Sequence, residues 1–263
     1  IALFGRNGES DAIVVAAATP SDCFHMAYEA SRLALEHMTP VVLLTDGYIA
    51  NGSEPWKIPD LKKSYPPIKT KLITEAKKED EDYLPYKRDD KNLVRTWAIP
   101  STPGYEHRIG GLEKDDETGN VSYDPENHHK MVMLRRKKVD LVANNIPDQE
   151  VEGEQNGDLL VVSWGGTYGA NHVAVKELQE KGHKISLAHL KYLHPMPKNF
   201  ESILTNFKHV VVPELNCGQL KNVLNAKFAI SCEGYNKVQG LPFKVSELKG
   251  FFEKTLERVN NSH

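Results

Sequence analysis

TPVVLLTDGYIANGSEPW, residues 39–56, is the stretch whose reading decides the fold. Residues 41–45 are an unbroken apolar and β-branched run, which fits a strand buried on both faces of a parallel sheet better than a half-exposed alternating one. Asp46, Gly47 and Tyr48 follow at its carboxyl end, the place where loops of open α/β sheets converge and ligands gather. Asn51, Gly52 and Ser53 continue a turn, and Pro55 and Pro59 oppose immediate re-entry into a helix. The segment reads as a shaped loop, either functional or a tight turn capped by Asp46.

Upstream, residues 12–19 (AIVVAAAT) read as a buried strand. Pro20, Ser21 and Asp22 offer the N-cap of a helix over residues 23–38. Strand, helix and the 41–45 strand make one right-handed βαβ unit. Downstream, residues 61–100 carry weak regular structure, with a solvated charge run at 77–82 (KKEDED). The loop at 102–123 holds Glu106, His107 and Arg108 between glycine turns, as a ligand-facing tip or a surface ion-pair cluster, and Thr118-Gly119-Asn120 reads as a hairpin turn. Asp124 and Pro125 start a helix reaching about Asn145. Its basic turn, residues 135–138, docks an acidic group or simply faces solvent; His128 and His129 read as polar surface. Residues 146–158 are acidic and polar and read as a domain linker open to proteolysis between Gly153 and Gly157.

The last third alternates strand and helix. Strands are expected at 159–164, 184–190 and 209–212, with helices at 170–181, from Asn199 as cap to 207, at 219–228 and at 246–259. This pattern implies a parallel sheet covered on both faces. The fold class is therefore α/β, two domains with mainly parallel sheets. The Gly165-Gly166-Thr167-Tyr168-Gly169 loop presents backbone amides to an anion or is a plain tight turn; it is neither a Walker nor a dinucleotide motif.

The 263 residues allow about two domains of ordinary size. With 33 Lys and Arg against 36 Asp and Glu, the net charge of −3 gives no case for nucleic acid or an anionic membrane. No apolar run approaches a bilayer span and no signal peptide opens the chain, so the expectation is a soluble, cytoplasmic protein. Three scattered cysteines fit neither a disulfide framework nor a four-thiolate cluster. No nucleophile elbow, HExxH or thiamine-type GDG motif is present. The chain is thus a non-catalytic binding or structural module, or one part of a composite site.

Eight blocks occur in order: ATPSDCF at 18–24, LLTDGYIANGSEPW at 43–56, TPGYEHRIGGLEK at 102–114, GNVSYDPENH at 119–128, WGGTYGA at 164–170, LHPMP at 193–197, VPELNCGQL at 212–220 and GYNKVQGLPF at 234–243. On these blocks the chain resembles the α subunits of 2-oxoacid:ferredoxin oxidoreductases, most nearly the 2-oxoglutarate type. The resemblance implies the later part of a thiamine-pyrimidine-binding domain at 1–114, a helix and linker at 115–157, and a transketolase C-terminal-like domain at 158–263. It also implies a β subunit that holds thiamine diphosphate through Mg²⁺ and carries the [4Fe–4S] cluster. The implied reaction is oxidative decarboxylation of 2-oxoglutarate with CoA to succinyl-CoA and CO₂, electrons passing to ferredoxin; pyruvate and branched-chain 2-oxoacids are the alternative substrates. The family's pyrimidine-contacting Glu and substrate-binding Thr and Arg would precede Ile1. This stretch is therefore expected to be N-terminally truncated, inactive alone, without a catalytic or metal residue of its own and without tight cofactor binding. Asp46, Tyr48, Asn51, His107 and Arg108 are the candidates for substrate or subunit contact, with the 102–114 loop expected to cover the 46–53 loop.

Overall fold

A computed structural model describes residues 1–4, 8–78 and 82–261. The charge run at 77–82 therefore falls partly outside the described residues. Element order is β1 (Ile13–Ala16), α1 (Asp22–His37), β2 (Val41–Leu44), α2 (Gly47–Asn51), α3 (Leu61–Ser64), β3 (Leu72–Ile73), β4 (Trp97–Ala98) and α4 (Pro125–Leu141). It continues through β5 (Gly157–Trp164), α5 (Tyr168–Glu180), β6 (Ile185–Leu190), β7 (Tyr192–His194), α6 (Phe200–Thr205), β8 (Phe207–Glu214), α7 (Gln219–Phe228), β9 (Glu233–Asn236) and α8 (Val245–Asn261). The chain divides into two compact units, one of Ile1–Val14, Ala27–Val42 and Lys57–Asn145, the other of Val15–Met26, Leu43–Trp56 and Ile146–His263. No helix among the described residues is long and apolar enough to cross a membrane.

In the second unit, β6, β5, β8 and β9 form a four-stranded sheet in that order, all pairs parallel. Leu159, Leu160, Val161 and Val162 are all fully buried. Successive side chains of a strand point to opposite faces, so both faces of β5 are covered, as its unbroken apolar run predicts. α5 and α8 pack together, Leu178, Phe252 and Leu256 joining Leu159, Val161 and Leu187 in one cluster. β9 is short and polar and escaped the sequence reading. β7 extends β1 and β2 into a three-stranded sheet of order β2-β1-β7, in which the Ala16 N–H donates to the Lys191 carbonyl at 2.8 Å.

Several local expectations are overturned. Residues 47–51 are a helical turn rather than an open loop, because Asp46 caps it by accepting from the Ile49 N–H at 2.9 Å. β2 is half-buried along its length, not covered on both faces. Thr19, not Asp22, caps α1: its hydroxyl accepts from the Asp22 N–H at 3.2 Å, while the Asp22 carboxylate takes the Ala18 N–H at 2.9 Å and the Lys191 ammonium at 2.7 Å. Asn199 does not cap α6; its amide instead clamps Gln149, accepting from the Gln149 N–H at 2.8 Å and donating to its carbonyl at 2.9 Å.

The acidic segment at 146–158 lies in the second unit and is hydrogen-bonded there. The Glu152 N–H donates to the Leu187 carbonyl at 2.8 Å and the Leu187 N–H returns the bond at 3.1 Å. A Cβ on Gly153, held at φ +122°, would sit 2.4 Å from Gln179 Nε2. Its charged composition conceals an antiparallel bridge to β6, beside which glycine permits close approach.

In the first unit, α4 starts where expected, with Asp124 accepting from the Glu126 N–H and Pro125 inside the first turn. It ends in a 3-10 turn at Val142–Asn144. Met131, Val139 and Val142 form its buried stripe. The hairpin turn is present too: Lys114 pairs with Val121 in an antiparallel bridge, and Gly119 takes φ +71°. β3 and β4 are a two-residue parallel pair.

Candidate functional site

At the carboxyl end of β2 the apolar run stops at an acid, and that acid does two jobs within the second unit. One Asp46 carboxylate oxygen caps α2; the other accepts from the Gly166 N–H at 2.7 Å. A Cβ on Gly166 would lie 2.4 Å from Asp46 Oδ2, so glycine is required by proximity. The glycine-rich loop thus does meet an anion, supplied by the chain itself. The Gly166 amide is therefore already taken, and the carboxylate in front of it opposes a phosphate at that amide.

A second strand end, opening the polar loop at residues 213–218, repeats the device. Glu214 closes β8, is buried, and accepts from the Leu220 N–H at 2.9 Å and the Lys221 N–H at 3.0 Å at the start of α7. Trp164 Nε1 and Asn216 Nδ2 also donate to it, at 3.2 and 3.0 Å. β5 and β8 flank the point where strand order reverses, the usual ligand crevice of such sheets. The chain's own carboxylates therefore occupy backbone amides that open both following elements. The signal lay in the sequence as an apolar strand ending in an acid before a glycine turn, Leu44-Thr45-Asp46-Gly47 and Val212-Pro213-Glu214 with Gly218.

Tyr48 is well exposed on α2, and the Asn51 amide, also exposed, folds back to the Gly47 carbonyl at 2.8 Å. His107 and Arg108 belong to the first unit, so the five predicted residues do not form one cluster within either unit. In the first unit His107 and Arg108 line an open cleft of about 620 Å³ together with Lys77, Tyr83, Gly104 and Asn120. His107 Nδ1 is 2.8 Å from the Tyr105 carbonyl, and the Tyr83 ring sits edge-on to both Tyr105 and His107. Burial pushes the Tyr83 hydroxyl up from its ordinary pKa. A Cβ on Gly104, at φ +83°, would lie 2.6 Å from Lys77 Cβ, which explains the Pro103-Gly104 pair. Arg108 is exposed and, among the described residues, forms no ion pair with Glu106. Behind it, the buried Lys114 ammonium binds the carbonyls of Gly110 and Leu112 and holds the loop.

The basic turn of α4 is divided: Arg136 and Lys137 are exposed, whereas Arg135 and Lys138 are engaged within the unit. Arg135 makes a two-pronged pair with Glu113, 3.1 Å on each arm, and His128 adds a contact to the same carboxylate at 2.8 Å. Lys138 donates to the Met38 carbonyl at 2.8 Å; burial and then Arg95, Arg88 and Arg135 push its pKa down to about 8. Two further pairs went unread in the sequence. Ser163 Oγ lies 2.7 Å from His189 Nδ1 inside the second unit, and His172 Nδ1 lies 2.5 Å from Glu152, whose charge and hydrogen bond add to burial in pushing Tyr168 up to about 12.

Among the described residues no three His, Cys, Asp or Glu side chains converge as a metal ion requires, and Cys23, Cys217 and Cys232 are separate free thiols.

Comparison with known proteins finds relatives over nearly the whole chain. A family described as pyruvate flavodoxin/ferredoxin oxidoreductase, thiamine diphosphate-binding, matches residues 2–126, and pyruvate:ferredoxin oxidoreductase core domain II matches residues 157–247. The 2-oxoglutarate oxidoreductase subunit KorA of Mycobacterium tuberculosis is 46% identical over 97% of this chain and 38% of its own length. The α subunit of 2-oxoacid:ferredoxin oxidoreductase 2 of Aeropyrum pernix is 29% identical over 99% of this chain and 41% of its own. Among solved structures, the 2-oxoglutarate:ferredoxin oxidoreductase of Magnetococcus marinus, with 2-oxoglutarate, coenzyme A and succinyl-CoA bound, superposes with a TM-score of 0.84 at 29% identity, covering 97% of this chain and 44% of that one. The chain spans roughly two fifths of the length of these relatives.

Proposed function

The chain belongs to the family of 2-oxoacid:ferredoxin oxidoreductase α subunits, and we propose that it serves a thiamine diphosphate-dependent enzyme that converts 2-oxoglutarate and CoA to succinyl-CoA and CO₂. The observation that carries this reading is the 46% identity to the KorA subunit, which runs through both matched domains. Thiamine diphosphate supplies the carbanion chemistry when bound. In this proposal Mg²⁺ and a [4Fe–4S] cluster sit on a partner β subunit, ferredoxin takes the electrons, and the complex works in the cytoplasm. The scattered thiols and the self-filled amide of the 165–169 loop support placing those groups on another chain. The division into 1–114, 115–157 and 158–263 belongs to the same proposal.

Within that enzyme the residues of this chain bind and position. Asp46 holds α2 in place through its two backbone contacts. α2 presents Tyr48 and Asn51 to substrate or to the partner subunit; His107 and Arg108 do the same from their cleft. Arg108 suits a carboxylate because its guanidinium pairs in two-pronged geometry, which an ammonium cannot imitate. Co-expression of the full α subunit with its β subunit tests the reading: ferredoxin-type dye reduction dependent on 2-oxoglutarate and CoA is the expected result. Activity with pyruvate in its place would redirect the substrate, and no 2-oxoacid-dependent reduction at all would overturn the enzyme assignment.

A further inference from the structure

A second cleft in the first unit, about 360 Å³, opens beside the last turn of α1. That volume is within the range of small-ligand sites. Among its lining residues is His37, 2% exposed, whose ring Nδ1 is buried without a hydrogen-bond partner. The other ring nitrogen, Nε2, is 3.3 Å from Asn145 Nδ2. When Nε2 accepts from that amide, the neutral ring carries its proton on Nδ1, leaving a buried N–H donor unsatisfied. Buried donors are satisfied as a rule, and an orphan one calls for an acceptor.

The rest of the cleft is rich in donors. Lys69 and Lys71 stand exposed at the rim; Lys71 shares Asp89 at 3.1 Å, and Lys69 has no carboxylate partner among the described residues. Asn92 and Trp97 also line the cleft. The one lining carboxylate, Glu36, is already paired with Arg32 at 2.8 Å, and Arg32 is pinned on its other arm by Glu29 at 2.7 Å. Lys138, donating to the Met38 carbonyl next to His37, adds positive charge close to the ring. We propose that this cleft is a subsite for a small oxyanion, a carboxylate or phosphate group accepted by His37 Nδ1–H and neutralised at the rim by Lys69 and Lys71. Nothing in the proposal depends on the reading of Tyr48, His107 or Arg108.

NMR of the full chain tests it, with sodium phosphate and sodium succinate as separate probes at constant ionic strength. The His37 ring resonances are expected to move saturably with at least one probe. A phosphate-only response identifies a phosphate ligand, a succinate-only response a carboxylate, and both the shared chemistry. Lys69→Gln and Lys71→Gln, exposed changes that leave the fold alone, are expected to weaken binding roughly threefold each. His37→Leu should weaken it about tenfold or more. Should that buried variant fail to fold, the two lysine variants still decide. Ring resonances that stay still with both probes, or that move with the same apparent affinity when both lysines are gone, overturn the proposal.

Discussion

A carboxylate at the end of a strand is ambiguous on paper, and Asp46 shows how geometry separates the alternatives. Both of its oxygens face backbone amides, so its removal strikes the fold first. Charge-assisted bonds contribute about 1.5–3 kcal/mol each. Asp46→Ala is therefore expected to lower the unfolding free energy by about 3 kcal/mol, and Asp46→Asn by less, since the amide oxygen still accepts one bond. Urea denaturation measures this; a change below about 0.5 kcal/mol would place Asp46 outside the framework and return it to ligand contact. Gly166→Ala should cost a similar amount and combine non-additively with Asp46→Ala, because the added methyl strikes that same carboxylate. The strand-to-acid reading was available from sequence because it is local. The acceptor's second partner was not, since Gly166 lies 120 residues away. Asn199 misled for the same reason, being the right residue type at a helix start but committed to Gln149 across 50 residues.

At the scale of elements, legibility followed apolar content. β5, β6 and β8 are buried runs whose place in a parallel sheet follows from composition. β9 reads EGYN and β7 is three residues long, so neither carries a pattern that periodicity can detect. Residues 146–158 are the instructive case. Their acidity suggested a cleavable linker, whereas their backbone is tied to β6 and their Gln149 to Asn199. Limited proteolysis under native conditions is accordingly expected to spare Gly153 to Gly157. Asn199→Ala, which removes both clamp bonds, should open the segment to cleavage while circular dichroism stays unchanged. Cutting of the unsubstituted chain at these glycines would show that the pairing does not persist in solution.

Over the whole molecule, acid stability follows from buried imidazoles. Burial, aided by the Lys191 ammonium, pushes His189 down to about 3 from an ordinary 6.5, and burial also lowers His37. Between those values the unfolded chain binds a proton that the folded chain refuses. Stability is thus complete above pH 6.5 and falls as pH drops, by up to about 1.4 kcal/mol per pH unit for each such histidine. The carboxylates whose pKa is depressed, Asp89 and Glu113 among them, add a loss of the same sign only below about 4.5. The window from pH 6.5 to 4.5 therefore reports the histidines. His189→Gln should flatten the slope there, read from denaturation midpoints across pH; an unchanged slope would mean that His189 protonates without penalty.

The most demanding expectation concerns turnover of the complete enzyme. Asp46 and Asn199 are each anchored by two hydrogen bonds, whereas Tyr48 and Arg108 are exposed and Arg108 forms no ion pair with Glu106. Side chains of that kind contribute little to stability, commonly within about 0.5 kcal/mol. Tyr48→Phe and Arg108→Lys should accordingly leave the denaturation midpoint of this chain unchanged. In the assembled complex the same substitutions should reduce kcat/KM for the 2-oxoacid, about tenfold for Arg108→Lys if a two-pronged carboxylate contact is lost. A fall in kcat/KM carried by KM alone would mark contact equally strong in ground and transition states; a fall in kcat would mark contact made at the transition state. Loss of assembly, seen by size-exclusion chromatography, would assign the residue to the subunit interface instead. Unchanged kcat/KM with normal assembly for both variants would remove Tyr48 and Arg108 from the functional surface.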